Sequence, residues 1–334
     1  MKRHTHLCLA YALLLIALLM TVGCWPMDHV RFTVDVQTDA VAAEPDGTDN
    51  LVEATKAVLR QRLDRADLTT FSMEREGPNR LIIDTYGARD VERLGRLLQQ
   101  PGRLEFRLMP SESEVALSLE KMIDYFNIDS PAAPAVDTLD IAKLLETRRA
   151  DTENPLNNHL LNLIQPVWRS LVFGRVIDAD SAAFNALMKD PQAQALLPLE
   201  TELLYSAKPV SVEENGPGIF EILAVNTTVE LTGDVITDAR VYYQDNQHVV
   251  DIEMNEEGTR LWARLTEAVV GKSIAIVMTG KVYTYPRVIG KVPAGRSQIT
   301  GLETRAEAQD MAVLLNAGAL PAPVELVAVT AFEQ

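Results

Sequence analysis

The sequence predicts an α+β protein built from two ferredoxin-like βαββαβ units with a helical and irregular insertion between them. Three observations carry this: alternating apolar residues toward both ends of the chain, amphipathic helical stretches between those alternations, and a middle stretch with no steady period. With 334 residues, 47% hydrophobic and 23% charged, the chain is long enough to bury a full core and to form two domains.

In the first unit, Phe32, Val34 and Val36 alternate with Thr33, Asp35 and Gln37, the period of a half-buried strand. Pro45-Asp46-Gly47 forms a polar loop and Thr48-Asp49-Asn50 offers helix caps, after which Val52, Leu59, Leu63 and Ala66 fall on one helical face. Phe71 to Arg75 and Arg80 to Thr85 read as a hairpin joined by Gly77-Pro78-Asn79. Val91, Leu94, Leu97 and Leu98 mark a short helix stopped by Pro101-Gly102. Leu104, Phe106 and Leu108 alternate as the strand expected to close this unit, within a domain at 24–110.

The order repeats in the second unit, within a domain at 205–334. Val250, Ile252 and Met254 form a strand, and Asn255 caps a helix carrying Leu261, Trp262, Leu265 and Val269. Ile274 to Met278 and Lys281 to Tyr285 make a hairpin around Thr279-Gly280. Thr304 and Glu307 form a capping box for a helix whose buried stripe is Ala308, Met311, Ala312 and Leu315. Gly318 supplies a left-handed stop, Pro321 prevents continuation, and Val324, Leu326 and Val327 give the closing strand. Between the units, 111–204 reads as helical and irregular, with Pro131-Ala132-Ala133-Pro134 as a breaker and helical pieces at 160–164 and 182–188.

The N-terminus has the layout of an export signal over 1–23: Lys2, Arg3, His4 and His6, then an apolar run from Leu7 to Met20, then Thr21-Val22-Gly23. That run is short for a bilayer crossing, which needs about 20 apolar residues. Small residues before Cys24 resemble a lipobox, which makes Cys24 an expected acylated N-terminus and places the mature protein in the cell envelope, extracytoplasmic and membrane-anchored. Thr21 stands where such motifs more typically have Leu, so an uncleaved anchor and a plain secreted protein stay open. Cys8 lies inside the signal, so the mature chain is expected to have no disulfide.

Acidic residues outnumber basic ones by 47 to 31, a net charge of −16 that repels phosphate backbones and excludes nucleic acid as an expected partner. His29, His159 and His248 are scattered in sequence, so neither metal nor cofactor is expected. Gly271-Lys272-Ser273 echoes the end of a phosphate-binding loop, but Thr266 occupies its first glycine position and the run follows a helix. Glu213-Glu214 and Glu256-Glu257 are adjacent carboxylates of the kind that face solvent, the latter in a first helical turn where negative charge is favoured. No nucleophile elbow or dinucleotide fingerprint is present, and the expectation is a binding module rather than an enzyme.

The run Leu231-Thr232-Gly233-Asp234-Val235-Ile236-Thr237-Asp238-Ala239 resembles a signature of the SecD/SecDF family of protein-export subunits. In the same order follow Asn255-Glu256-Glu257-Gly258, Gly271-Lys272, Ile274-Ala275-Ile276-Val277, Gly280-Lys281-Val282-Tyr283, Gln298-Ile299-Thr300-Gly301 and Leu314 through Pro323. Arg60-Gln61-Arg62-Leu63-Asp64 and Gly102 through Arg107 extend the resemblance toward the N-terminus, whereas 111–204 matches poorly.

The resemblance implies the family's first periplasmic domain, which holds unfolded or extended polypeptide emerging from the membrane, with a Sec translocon component as a candidate partner. In the family this domain precedes a transmembrane bundle with the proton-coupling charges; this sequence stops at Gln334, and no motor of its own is expected. The motif residues Thr232, Gly233, Asp234, Gly271, Gly280, Gly301, Gly318 and Pro321 are expected to serve mainly the backbone. Val282, Tyr283 and Tyr285 are the candidate polypeptide-binding residues, since such binding uses strand edges and apolar grooves. The alternative is a structural or assembly lipoprotein that keeps the fold and binds one fixed partner.

Overall fold

A computed structural model describes residues 29–38, 45–66, 68, 70–127, 158–210 and 217–332. They divide into two compact units, one within Met1–Gln100 and Pro321–Gln334, the other within Pro101–Leu320.

The first unit begins with β1 (His29–Val36), α1 (Pro45–Arg65), β2 (Thr70–Glu76), β3 (Arg80–Tyr86) and α2 (Val91–Gln99). Strand β1 buries Val30, Phe32, Val34 and Val36 in alternation. Helix α2 starts where the Asp90 carboxylate accepts from Arg93 N at 2.9 Å. Its C-terminal carbonyls are met from α1: the buried Arg62 guanidinium donates to Leu97 O at 2.7 Å and to Gln100 O. Burial pushes that guanidinium down to about 10.

The second unit contains β4 (Leu104–Leu108), α3 (Glu112–Tyr125), β5 (Ile164–Pro166), β6 (Val172–Ile177), α4 (Ser181–Leu187), α5 (Pro191–Ala195), β7 (Thr201–Ser206), β8 (Ile219–Asn226) and β9 (Leu231–Thr232). It continues with β10 (Ile236–Gln244), β11 (Gln247–Met254), α6 (Glu256–Ala268), β12 (Ile274–Met278), β13 (Lys281–Thr284), β14 (Arg296–Leu302) and α7 (Arg305–Ala317). One sheet runs β5-β6-β8-β7-β13-β12-β4-β9, antiparallel except where β13 meets β7, and a second runs β10-β11-β14. One face of the large sheet is covered by a core in which α3 (Val115, Leu119, Met122) meets Phe173, Val176 and Phe184. Elsewhere Met109, Val172, Leu223, Val225, Ala275, Val277 and Val282 form another buried cluster.

The last strand, β15 (Val324–Phe332), belongs to the first unit, whose sheet order is β15-β1-β3-β2. It pairs antiparallel with β1 from His29↔Phe332 to Val36↔Val324. Here the expected pair of contiguous βαββαβ units is corrected. Strand β4, assigned by sequence to the first sheet, pairs with β12 and β9 in the eight-stranded one. The second expected unit is dispersed: β11 lies in the three-stranded sheet, the β12–β13 hairpin in the eight-stranded one, and β15 in the first unit. Alternation reports which face of a strand is buried, not which neighbour supplies its hydrogen bonds. Leu104 and Phe106 are buried as the pattern requires, but Phe106 meets Trp262 of α6, ring centroids 5.0 Å apart.

The 111–204 stretch is also more sheet-like than expected. Helices α3, α4 and α5 are present, yet it supplies β5, β6 and part of β7, and Ile164, read as the end of a helical piece, opens β5. Among the described residues, no helix is long and apolar enough to cross a membrane. Cys24 and the expected signal lie outside the described residues.

Candidate cleft in the second unit

The site grows from three chain connections in the second unit. The first is the start of α3, where Ser111 Oγ accepts from Glu114 N at 3.3 Å and Ser111 N donates to Glu114 Oε2 at 2.8 Å, a closed capping box. The Ser111 hydroxyl, donating to Glu114 Oε2 at 2.6 Å, and then the Ser111 N–H hold the Glu114 carboxyl below its usual range, so this acid is committed to the helix end. The same helix buries Val115, Leu119 and Met122 and leaves Leu117 exposed on its other side.

The second connection joins β5 to β6 and carries Trp168, followed by Arg169 at φ 55°. The third enters β7 and carries Leu199, followed by Glu200 at φ 52°. Left-handed backbone is unfavourable for residues with a Cβ, so both turns need support. At the second of them, Glu200 O accepts from Thr227 N at 2.8 Å and Thr227 Oγ1 at 3.2 Å. The outcome is that Trp168 stands 54% exposed and Leu199 91% exposed, large apolar groups held outside any core.

Together these connections bound a cleft of about 1190 Å³. Leu117, Trp168, Leu171 and Leu199 give it an apolar lining; Glu112, Glu114 and Glu120 line it from α3, and Arg169, Lys272 and Arg287 also border it. Its lining includes neither histidine nor cysteine, and among the described residues no group of acidic, histidine or cysteine side chains is arranged to hold a metal. What this geometry does physically is offer apolar area with charges of both signs at the edges, a setting for binding.

The sequence-predicted residues sit mostly elsewhere. Thr232 Oγ1 donates to Asp234 Oδ2 at 3.0 Å beside Gly233, where a Cβ would come within 3.1 Å of Leu104 Cβ. Gly271, Gly280, Gly301 and Gly318 all have positive φ, and Gly318 N donates to Leu314 O at 3.0 Å; Pro321 follows that helix end. Of these residues only Gly271 borders the cleft, together with its motif neighbour Lys272.

Val282 is 2% exposed inside a core cluster, and β13 lies between β7, which it meets at Lys281 and Val282, and β12. Tyr285 Oη donates to Glu221 Oε2 at 3.1 Å and is pushed up to about 12, first by burial and then by that carboxylate. Burial likewise raises Tyr283. Sequence reasoning missed Trp168, Leu199 and Leu117. Exposed apolar residues follow no period, and the only signal available was a tryptophan just after Pro166 and beside the polar pair Arg169-Ser170.

Comparison with known proteins gives this arrangement a class. Residues 202–322 match the model "SecDF, P1 head subdomain", and residues 52–111 match "Protein translocase subunit SecDF, P1 domain, N-terminal". The two units therefore define the first periplasmic domain of a SecD-type subunit. The chain belongs to the SecD family: it is 43% identical over 283 residues to the protein translocase subunit SecD of Rhodothermus marinus, covering 81% of this chain and 44% of that protein. With SecD of Magnetococcus marinus it shares 27% identity over 285 residues, 82% of this chain and 53% of the relative. The chain thus spans about half the length of these relatives. A solved structure of SecDF in a super-membrane-facing form shares the fold, with TM-score 0.51, 18% identity, and coverage of 92% of this chain and 30% of the other.

Proposed function

We propose that this chain is a polypeptide-holding module of protein export, binding unfolded or extended clients reversibly and carrying out no covalent turnover. The relatives named protein translocase subunit SecD support the export role and a reading without enzymatic chemistry. The observation that carries the binding role is the display of Trp168, Leu199 and Leu117 around one cleft. Apolar contact of this kind accepts many sequences, and a client in transit has to be released. Micromolar affinity, about 8 kcal/mol, suits that demand. Cys24 is proposed as the lipid-bearing N-terminus that tethers the module to the envelope membrane, with a Sec translocon component as its neighbour there.

Titration of the purified mature protein with reduced, unfolded secretory polypeptides tests the reading. Binding in the micromolar range, weakened by Trp168→Ala, is the expected result. Tight binding of one folded envelope protein with no affinity for unfolded chains would replace it with the assembly-lipoprotein alternative.

A further inference from the structure

The four-stranded sheet of the first unit has two unlike ends. At the end where Val36 pairs with Val324, polar groups meet across the strands: Arg80 bonds Asp35 at 2.7 and 2.9 Å, and Gln37 Nε2 donates to Glu325 Oε2 at 2.8 Å. At the other end, His29 on β1 stands opposite Tyr86 on β3 and Phe332 on β15. The three rings stack in a row, with centroids 4.7 Å apart for His29 and Tyr86 and 4.5 Å apart for His29 and Phe332. The Arg31 guanidinium lies 5.5 Å over the Phe332 ring.

Alternation puts this row on the face away from the core, since β1 buries Val30, Phe32, Val34 and Val36 instead. Phe332 is 39% exposed there, and Val329, which pairs with Phe32 on the other face, is 44% exposed. Both faces of β15 thus show apolar groups at this end. The charges nearby come in both signs: Arg31 is bonded to Asp84 at 2.9 and 3.1 Å, and Arg89 and Asp90 are exposed in the turn after β3. Aromatic rings backed by balanced charge match the belts that rest at membrane interfaces, where one side is apolar and the other wet.

Chain length says what lies against that end. Four residues, Trp25-Pro26-Met27-Asp28, separate Cys24 from His29, so even a fully extended connection keeps His29 within about 18 Å of the acylated residue. Arg80, at the polar end, is six residues along β3 from Tyr86, about 20 Å farther away. We infer that the His29–Tyr86–Phe332 row, with Val329, seats the first unit on the bilayer, its occupant being the boundary between headgroups and acyl chains of a zwitterionic membrane. This rests on Cys24 as the tether and adds the surface that meets lipid and the end of the sheet that points to it. A net charge of −16 disfavours anionic headgroups, so the contact draws on apolar area.

The test uses the lipidated mature chain in phosphatidylcholine vesicles. With Cys8 removed with the signal and Cys24 acylated, one introduced cysteine takes an environment-sensitive fluorophore. The two positions are Thr330→Cys, opposite Arg31 and beside the ring row, and Glu76→Cys at the polar end, both exposed. Nitroxide-labelled lipids are expected to quench the fluorophore at 330 several-fold more than at 76. Phe332→Ser with Val329→Ser should bring 330 down to the level of 76, and Phe332→Trp should leave it high. Both replaced side chains are exposed, so folding is expected to survive, and a thermal melt verifies it. Equal quenching at the two positions, in protein that stays on the vesicles, overturns the seat and leaves the tether standing. A contrast that grows when phosphatidylglycerol is added overturns the apolar account in favour of headgroup charge. Protein with an unmodified Cys24 that leaves the vesicles takes down tether and seat together.

Discussion

The side-chain amide of Asn316 closes on both backbone groups of Ala239: its Oδ1 accepts from Ala239 N at 3.0 Å and its Nδ2 donates to Ala239 O at 2.7 Å. Ala239 lies on β10, the outermost strand of the three-stranded sheet, and Asn316 lies near the end of α7. The carboxamide thus stands in for a piece of neighbouring strand at an edge that would otherwise expose pairing groups.

Replacing Asn316 by Ala removes both of these bonds, together with the one Nδ2 donates to Ala312 O at 2.9 Å, and leaves half-buried backbone groups of Ala239 unmet. The expected cost is about 2 kcal/mol, since each such bond contributes about 1 kcal/mol net and stranding a partner adds to that. Asn316→Asp keeps the acceptor and loses the donor, and should fall between wild type and Asn316→Ala. Urea unfolding midpoints with an unchanged slope are the measurement, and a midpoint for Asn316→Ala equal to wild type rules the account out.

The first unit carries a pH dependence of predictable sign. Asp84 is held below its usual 3.8 chiefly by hydrogen bonds from Arg31; burial opposes this, and His29 adds a lesser lowering. Asp35 is lowered in the same way by Arg80, which bonds it at 2.7 and 2.9 Å. A carboxyl whose folded pKa is depressed binds fewer protons when folded, so its stabilisation is present above the unfolded pKa and fades as pH falls through the folded one. The stability gap between wild type and Asp84→Asn should therefore be full near neutral pH and shrink below about pH 3.8. A gap that stays constant across that window would falsify the assignment.

Local structure was legible in the sequence, whereas long-range pairing was not. The Thr304 cap, the Asn255 cap and the β12–β13 hairpin around Thr279 and Gly280 all occur where the residues place them, because each is decided within a few neighbours. The closing strand of the first unit was not legible. Leu104 to Leu108 and Val324 to Phe332 both offer strand-forming runs, and nothing local tells β1 that its partner arrives from the far end of the chain. Arg62 shows the same limit. Within its motif it reads as a surface cation on a helix, and only the tertiary fold reveals it buried against the end of α2. The cleft escaped because Trp168 and Leu199 are exposed on turns, where hydrophobic periodicity carries no information.

Gly295 has a role that the motif comparison did not single out. Its φ is +62°, and a Cβ there would sit 2.0 Å from Thr259 Oγ1 and 2.8 Å from Thr259 Cβ, while its carbonyl accepts from Met254 N at 2.9 Å. Gly295→Ala should destabilise by about 2 kcal/mol or more, from backbone strain together with the collision. Adding Thr259→Gly relieves only the collision, so the double variant should recover part of the loss beyond the helix penalty of the new glycine. Thermal melts of the single and double variants measure the coupling, and strictly additive losses would show that the contact is not the cause.

The cleft makes the last prediction, in which stability and binding separate. Trp168 is 54% exposed on a connection between short strands, so Trp168→Ala removes little buried area and should change unfolding stability by less than about 1 kcal/mol. Its ring is nevertheless the largest apolar group in the cleft lining, and aromatic anchors carry a disproportionate share of the energy where extended chains dock. Affinity for an unfolded secretory polypeptide should therefore fall about tenfold, a loss near 1.4 kcal/mol. Trp168→Phe restores an aromatic face and should recover most of that loss, whereas Trp168→Ser should behave as Ala does. Calorimetric titration beside a urea denaturation curve reads both quantities on the same preparation. Equal affinity of Trp168→Ala and wild type at matched stability would move the client away from this cleft altogether.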